Sequence, residues 1–238
     1  MVKTFQQKKL MKRSEINAFI DQAIEFFADK KFPLPDFAYW SPADWQKKGA
    51  EYDEIRDLGI GWDITDFGRG EFLKTGRIIF TLRNGSIKDK RYPKPYAQKA
   101  MCLLEGQKPP VHYHKTKMED IINRGGGRLC LKLFNATPEE ELDQDSEVQV
   151  AVDSIWRRLP PGGIVSLAPG ESISLHQYCY HSFWAEGGRV LAGEVSMVND
   201  DDLDNRFQQK VLRYPVIEED EPPLHLLCID YPRYYSWN

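Results

Sequence analysis

Two histidines, His112 and His114, stand one residue apart in the segment GQKPPVHYHKTKMEDIINRGG, which covers residues 106–126. Side chains alternate between the two faces of a strand, so a strand here would place both imidazoles on one face. Glu119 could lie opposite them if the chain turns near Lys115–Thr116 and returns antiparallel. Two imidazole nitrogens and a carboxylate oxygen would make three ligands for a divalent ion. The alternative, two exposed histidines on a polar strand face, is favoured for a bare His-x-His pair.

A fourth ligand would come from a distant part of the chain, which has three other histidines. His176 and His181 are five residues apart, so on one continuous strand they would face opposite sides. His181, in HSFW after an apolar run and before a glycine-rich turn, is the better candidate for a metal ligand. His176 is then a surface histidine or a support for the site, and His225 in the C-terminal tail is structural.

The spacing of the whole segment adds a family resemblance to this metal-site hypothesis. The first motif of the cupin family is matched at every spacing by Gly106, His112, His114, Glu119 and Gly126. The second cupin motif is matched more loosely, by Gly163 and Pro169-Gly170, and His181 lies further along the chain than that pattern asks. The first motif therefore carries most of the resemblance.

Four longer runs narrow the resemblance: EGQKPPVHYHKTKMEDIINRGGG, HSFWAEGG, GEVSMVNDDDLDNRF and YPVIEEDEPP. Together they resemble the D-lyxose ketol-isomerase family of cupins, across residues 90–235. The resemblance implies a divalent metal, typically Mn²⁺, and interconversion of D-lyxose with D-xylulose and of D-mannose with D-fructose through a cis-enediol. Co²⁺, Fe²⁺ and Zn²⁺ are alternatives, because the ligand preferences of these ions overlap.

Proton transfer between C1 and C2 of a sugar needs an acid and a base close to the metal. Lys117 precedes Glu119 by two residues and would share its strand face, while Lys99 is a charge within the apolar run AQKAMCLL. An edge position is the alternative for Lys99, but the family has a similar lysine. The resemblance also suggests that VIEEDEP places a glutamate over the metal as base, for which we prefer Glu218 to Glu219. A solvated acidic turn is the alternative.

Three further polar residues are candidates for contact with the sugar. Glu194, between apolar residues in LAGEVS, would orient a metal ligand or a sugar hydroxyl from an inner strand. Asp204 and Arg206, in NDDDLDNRF, would contact sugar hydroxyls or stabilise a turn. A calcium-binding EF-hand loop is excluded there, because Asn205 stands where that loop needs glycine and Val211 where it needs glutamate.

The elements that must position these residues are predicted to be mainly β. Short β-branched and aromatic runs separated by glycine and proline begin near residue 60, and IIFTLRNGSI carries the hairpin signal Asn84-Gly85. This texture, with the cupin motifs, predicts a single jelly-roll β-barrel over residues 59–238, with a C-terminal tail that packs back on it. Residues 1–58 would form a helical extension packed outside the barrel, within one structural domain overall.

Two helices are predicted in the extension. Apolar residues recur at helical spacing over residues 14–29, with Ser14 as N-cap. The run SPADWQKKG predicts a second, short helix that Ser41 caps, that begins at Pro42 and that ends at Gly49.

Composition limits the partners of the protein. A net charge of −4 gives no reason to expect nucleic acid, and no apolar run approaches the roughly 20 residues that span a membrane. Because the N-terminal residues lack the apolar run of a signal peptide, we expect a cytoplasmic protein. Its aromatic-rich surface favours a homodimer, and its small-molecule partner would be a monosaccharide.

Two other functions compete with the sugar isomerase. A cupin dioxygenase can use the same set of three histidines and one glutamate around iron. A non-catalytic sugar-binding cupin would bind sugar without isomerising it. The lysines and carboxylates near the predicted ligands favour proton-transfer chemistry, so the isomerase is the leading hypothesis.

Overall fold

The computed structural model describes residues 10–200 and 204–234, so parts of NDDDLDNRF and of both chain ends lie outside the described residues. Within them the fold is mainly β, as predicted. Its strands are β1 (Met11–Lys12), β2 (Gly61–Thr65), β3 (Arg77–Arg83), β4 (Tyr96–Leu103), β5 (His112–His114), β6 (Glu119–Asn135), β7 (Val148–Val152), β8 (Ile155–Leu159), β9 (Ile164–Leu167), β10 (Ser172–Leu175), β11 (Cys179–Met197), β12 (Asn205–Phe207) and β13 (Ile217–Glu218).

The helices are short apart from the first. They are α1 (Arg13–Asp29), α2 (Pro42–Trp45), α3 (Asp53–Asp57), α4 (Phe72–Thr75) and α5 (Tyr231–Tyr234), with 3-10 turns at Asp36–Ala38, Ala50–Tyr52 and Cys228–Asp230. None of these described helices is long and apolar enough to cross a membrane.

Strand β11 is the central strand of a large antiparallel sheet. The strand order is β2-β3-β4-β11-β6-β10-β7-β8, with β5 and β12 joined beside β11 and β9 beside β6. The main apolar core includes the buried side chains of Leu131, Val150, Leu167 and Val190. The hydrogen-bonded path is open at β2 and β8, so its described strands do not close into the predicted barrel.

Helix α1 packs on a second core beside β2, β3 and β4. Its buried apolar residues share one face: Ile16, Ile20, Ala23 and Phe27. That face contacts a cluster that contains Trp62 and Phe80. The helix predicted over residues 14–29 is confirmed, but the predicted N-cap is wrong. Ser14 lies inside the helix, and its hydroxyl donates a hydrogen bond to Asp220 at 2.7 Å.

The second helix begins as predicted and ends early. Ser41 accepts a hydrogen bond from the Asp44 backbone N–H at 3.2 Å, and Pro42 is the first helical residue. The helix stops at Trp45, four residues before Gly49.

The connection between β3 and β4 is longer than the Asn84-Gly85 signal predicted, since it spans residues 84–95. The buried Asn84 amide is used elsewhere. Its Nδ2 donates to the backbone oxygen of Asn199 at 3.1 Å, and its Oδ1 accepts from the Asn199 backbone N–H at 3.1 Å. This long-range contact replaces the tight local turn.

A buried charged cluster joins the start of α1 to the C-terminal segment. Arg13 is 1% exposed. Its Nε and Nη2 donate to the two carboxylate oxygens of Glu219 at 2.8 Å, and Nη1 donates to Asp230 at 2.9 Å. Arg233, which is exposed, donates to the same Glu219 at 2.9 Å. The acidic run therefore anchors the C-terminal segment to α1.

Candidate active site

Three histidines converge in one cavity. His112 and His114 lie on β5, His181 lies on β11, and each offers a ring nitrogen within 4.8 Å of the other two. The pairing of β5 with β11 places His112 directly opposite His181. The rings of these two residues are 4.3 Å apart. A group of three imidazoles at this spacing could hold a metal ion.

Glu119 lies against the same cluster. Its Oε2 is 3.4 Å from His114 Nε2, and its Oε1 is 3.0 Å from His181 Nε2. The expected pairing of its strand with β5 is wrong, because β5 pairs with β11 and β12 instead. Glu119 reaches the imidazoles by a different route.

That route is a bend in the long ribbon of β6 and β11. The ribbon pairs His181 with Leu133, and Glu119 with Ser196. Fourteen residues of straight strand would separate Glu119 from the His181 end by about 45 Å. The ribbon instead turns at a glycine-rich break, where the register shifts between Glu186 and Val190.

Gly126 shows why the bend needs glycine. Its φ is +103°, and a Cβ atom there would lie 2.0 Å from the backbone oxygen of Arg189. Any larger residue would therefore combine a left-handed backbone with a clash against the facing strand. The glycines around the motif are what allow its carboxylate and the distant histidine to meet.

The polar atoms of the cluster suit a cation. His181 Nε2 and Glu119 Oε1 are buried and lie 3.0 Å apart, but neither atom forms a hydrogen bond of normal geometry. The Nδ1 atom of each imidazole lies near an oxygen. Nδ1 of His112 is 3.4 Å from the backbone oxygen of Pro110, and Nδ1 of His181 is 3.0 Å from the backbone oxygen of Cys179. Nδ1 of His114 is 3.2 Å from Oδ2 of Asp204. Contacts of this kind fix the tautomer and leave Nε2 for a metal.

The electrostatics favour the metal-binding form of His112 and Glu119, whereas at His114 the contacts with Glu119 and Asp204 outweigh burial and raise the pKa. Burial, and next the proximity of His181 and His114, lower the pKa of His112 well below its usual range. Burial would raise the pKa of Glu119, but the charges of Lys117 and His114 outweigh it and lower that pKa. Neutral imidazoles and an ionised carboxylate are the forms that bind a metal.

Both predicted lysines reach the same cavity. Lys117 Nζ lies 3.1 Å from Glu119 Oε2 and 2.9 Å from Glu194 Oε1. Lys99 Nζ lies 3.2 Å from the same Glu194 oxygen. Asn199 Oδ1 accepts from Lys99 at 2.6 Å and from Lys117 at 3.2 Å. The structure thus brings together two ammonium groups, two carboxylates and one amide beside the histidines.

Glu194 is ionised in this network. Burial would raise its pKa, but the charges of Lys117 and Lys99 outweigh burial and lower it. The prediction that Glu194 lies on an inner strand agrees with its place on β11, where it is buried and lines the cavity.

Asp204 lies behind the histidines rather than in the cavity. Its Oδ1 accepts from the backbone N–H and the hydroxyl of Thr116, both at 2.6 Å, and its Oδ2 faces His114. Burial would raise the pKa of Asp204, but the contacts with His114 and Thr116 lower it. Because Oδ1 is held by Thr116 and Oδ2 faces His114, the described contacts do not support sugar binding by Asp204.

Arg206 is also turned away from the cavity. On β12, Asn205 and Phe207 line the cavity, so the alternation of the strand puts Arg206 on its other face. Its Nη1 donates to the backbone oxygen of Asn205 at 2.9 Å. The predicted substrate contact of Arg206 is therefore not supported by this orientation.

Glu218, the predicted base, lies on β13 and is exposed. This strand pairs in parallel with β1, where Glu218 is opposite Lys12. The described residues that line the cavity do not include Glu218. The structure therefore does not bring it to the histidines.

The two remaining histidines lie elsewhere. His176 Nδ1 is 2.7 Å from the backbone oxygen of Gln177. His225 Nδ1 is 3.4 Å from the backbone oxygen of Trp40, and its Nε2 is 3.7 Å from an oxygen of Asp21. Neither belongs to the cluster of three histidines, which agrees with the choice of His181.

Sequence reasoning missed other residues that line the cavity. They include Phe67, Arg77, Phe183, Phe207 and Arg213. Arg77 is the first residue of β3, where the inward-facing positions of a strand next to Lys99 could have identified it. Arg213 lies outside regular structure and forms an ion pair with Asp63 that no spacing in the sequence indicates.

The chain is similar to known sugar isomerases along nearly its whole length. A family profile described as D-lyxose isomerase matches residues 11–231. The D-lyxose/D-mannose isomerase of Escherichia coli O157:H7 is 48% identical over 227 residues, which cover 94% of this chain and 100% of that relative. The D-lyxose/D-mannose isomerase of Serratia proteamaculans is 48% identical over 229 residues, which cover 95% of this chain and 100% of that relative.

Solved structures share the fold. The ligand-free L-ribose isomerase of Cellulomonas parahominis has a TM-score of 0.59 at 14% identity, and the match covers 89% of this chain and 100% of that one. The L-ribose isomerase of Acinetobacter sp. DL28 in complex with L-ribose has a TM-score of 0.58 at 14% identity, over 89% and 99%. The predicted cupin fold class is confirmed.

Proposed function

Because the chain belongs to the D-lyxose isomerase family, we propose that it interconverts D-lyxose with D-xylulose and D-mannose with D-fructose. The observation that carries the proposal is the meeting of three histidines, two lysines and two carboxylates in one cavity. The relatives at 48% identity, which are D-lyxose/D-mannose isomerases, support the choice of sugars.

The proposed metal ligands are His112, His114, Glu119 and His181. The buried atoms of Glu119 and His181 that form no hydrogen bond of normal geometry support this assignment. We propose Mn²⁺ as the ion, on the family resemblance, and the carboxylate of Glu119 is a ligand that suits it. A bound divalent ion would polarise the sugar carbonyl and stabilise the negative charge of the enediolate.

Glu194 is the proposed base, in place of Glu218. Both lysines contact Glu194 through Oε1, which leaves Oε2 for the proton. In the aldose-to-ketose direction Oε2 removes the proton from C2 and delivers it to C1, while the proton of the C2 hydroxyl passes to O1. A single carboxylate on one face of a cis-enediol is sufficient for both transfers.

Lys117 and Lys99 are proposed to act with Glu194. Their ammonium groups keep Glu194 ionised before the reaction and can donate hydrogen bonds to sugar oxygens as charge develops there. Asn199, which accepts from both lysines, holds them in place. Preorganised donors of this kind are most effective in a buried site.

The activity test uses protein stripped of metal with a chelator. D-lyxose and D-mannose are added with and without Mn²⁺, and ketose is assayed. We expect ketose only with metal, without oxygen consumption. Absence of ketose with every divalent ion tried would refute the proposed function, and oxygen uptake with turnover would favour the dioxygenase.

The base is tested with a matched pair of variants. Glu194→Gln keeps the shape of the side chain but cannot take a proton, so we expect it to lower kcat by at least 10²-fold, the lower range for general base catalysis. Glu218→Gln, an equal change on the exposed β13, should keep the activity. The opposite pattern would restore Glu218 as the base.

The homodimer and the cytoplasmic location stay predictions.

A further inference from the structure

A buried arginine in the cavity has no counter-charge among the described residues. Arg77 is 4% exposed. Its Nη2 donates to the backbone oxygen of Phe183, whereas Nη1 is buried and has no hydrogen-bond partner. Burial lowers the pKa of Arg77 to about 9. The other cavity arginine differs, because Arg213 pairs with Asp63.

An uncompensated charge of this kind calls for a partner. Taking a cation out of water is costly unless an opposite charge and hydrogen bonds replace the lost hydration. Nη1 offers two N–H donors, and one of them can form a bidentate pair with a carboxylate together with the second N–H of Nη2. No described carboxylate pairs with Arg77, and a ligand carboxylate in the cavity would supply the missing negative charge.

The distance between Arg77 and the histidines limits how long a ligand that contacts both must be. The rings of His181 and Phe183 are 6.4 Å apart and stacked. The guanidinium carbon of Arg77 is 4.3 Å from the centre of the Phe183 ring. Phe183 contacts both groups, so the Arg77 guanidinium lies no more than about 11 Å from the His181 ring, within reach of an open six-carbon acid held at both ends.

We propose that the cavity also accepts aldohexuronates, with the C6 carboxylate on Arg77 and the C1–C2 end at the histidines. This inference rests on the proposed function for its chemistry. The same proton transfers apply: Glu194 moves the C2 proton to C1 while the proton of the C2 hydroxyl passes to O1, so that the aldose acid becomes the ketose acid. The carboxylate at C6 is unchanged, so no oxidant, reductant or further reactant takes part.

D-mannuronate and D-mannose form a matched pair for the test, because they differ only in a carboxylate or a hydroxymethyl group at C6. The Mn²⁺-loaded protein is assayed with each, and binding of D-mannuronate to metal-free protein is measured by calorimetry. We expect kcat/KM for D-mannuronate to exceed that for D-mannose. Arg77→Gln should lower the ratio of the two values by at least 10-fold, and Arg77→Lys should restore part of it.

The ratio cancels any general damage to the fold, and the wild-type comparison needs no variant. Turnover of D-mannose with neither binding nor turnover of D-mannuronate would overturn the inference and leave the proposed function standing. An unchanged ratio in Arg77→Gln would also overturn it. Arg77-dependent binding of D-mannuronate without turnover of any sugar would support the carboxylate site and refute the proposed isomerase.

Discussion

Removal of the Asp204 carboxylate should weaken metal binding although Asp204 is no proposed ligand. Its Oδ2 is 3.2 Å from His114 Nδ1, and its Oδ1 holds Thr116 through two contacts of 2.6 Å. Loss of such an outer partner typically costs 10- to 100-fold in metal affinity. We therefore expect Asp204→Ala to lose about 1.4–2.8 kcal/mol of binding free energy for Mn²⁺.

The assay is calorimetric titration of metal-stripped protein with Mn²⁺. Thr116→Val is the matched control, because it removes the hydroxyl contact to Asp204 but leaves the carboxylate beside His114. We expect Thr116→Val to change the affinity by less than about 3-fold, the net effect of a single hydrogen bond at its weak end. Thermal unfolding of both metal-free variants checks that the fold is retained.

Two results would refute this reasoning. Equal metal affinity in Asp204→Ala and the wild type would mean that the contact with His114 does not orient the ligand. Equal losses in Asp204→Ala and Thr116→Val would mean that the carboxylate acts by holding the turn at Thr116, and not through the imidazole.

The remaining predictions concern the fourth ligand and the charged cluster of α1. His181→Ala should lose Mn²⁺ binding in the same titration, whereas His176→Ala should keep it, and the reverse would overturn the choice. Arg13→Met, which leaves the buried Asp230 carboxylate without its cation, should lower the free energy of unfolding by about 3–5 kcal/mol. Arg233→Ala should lower it by less than about 1 kcal/mol, and equal denaturant midpoints for the two variants would contradict this. The hydrogen bond from Arg13 lowers the pKa of Glu219. The stability that this pair contributes is therefore present above the ordinary glutamate pKa and disappears as the pH falls through the lowered pKa. Arg13→Met should reduce this loss of stability at acid pH, as measured by denaturant unfolding across the pH range.

Most of the predicted site residues that the structure brings together share a local signal. His112, His114 and Glu119 are fixed by spacing within one short segment, and Lys117 follows from the strand alternation beside Glu119. His181 lies far along the chain, and its choice over the other histidines rested on its apolar strand and glycine turn. The structure brings all five to one cavity.

Three predicted site residues lie away from the cavity, because their positions depend on contacts that no spacing in the sequence indicates. The acidic run that contains Glu218 was expected to place a glutamate over the metal. Its neighbours Glu219 and Asp220 instead bind Arg13 and Ser14 at the start of α1. Asp204 and Arg206 belong to a polar run whose register on β12 decides which side chains enter the cavity. A shift of one residue exchanges the two faces of a strand, so composition alone could not assign them.

The position of Lys117 links the two halves of the site. Its ammonium group contacts Glu119, a proposed metal ligand, and Glu194, the proposed base. Two lysines and two glutamates balance each other in this buried network, so a divalent ion would add uncompensated positive charge. That excess is what an enediolate, which is negatively charged, needs in the transition state. The same excess would favour the carboxylate proposed at Arg77, since positive charge would then stand at both ends of the sugar chain.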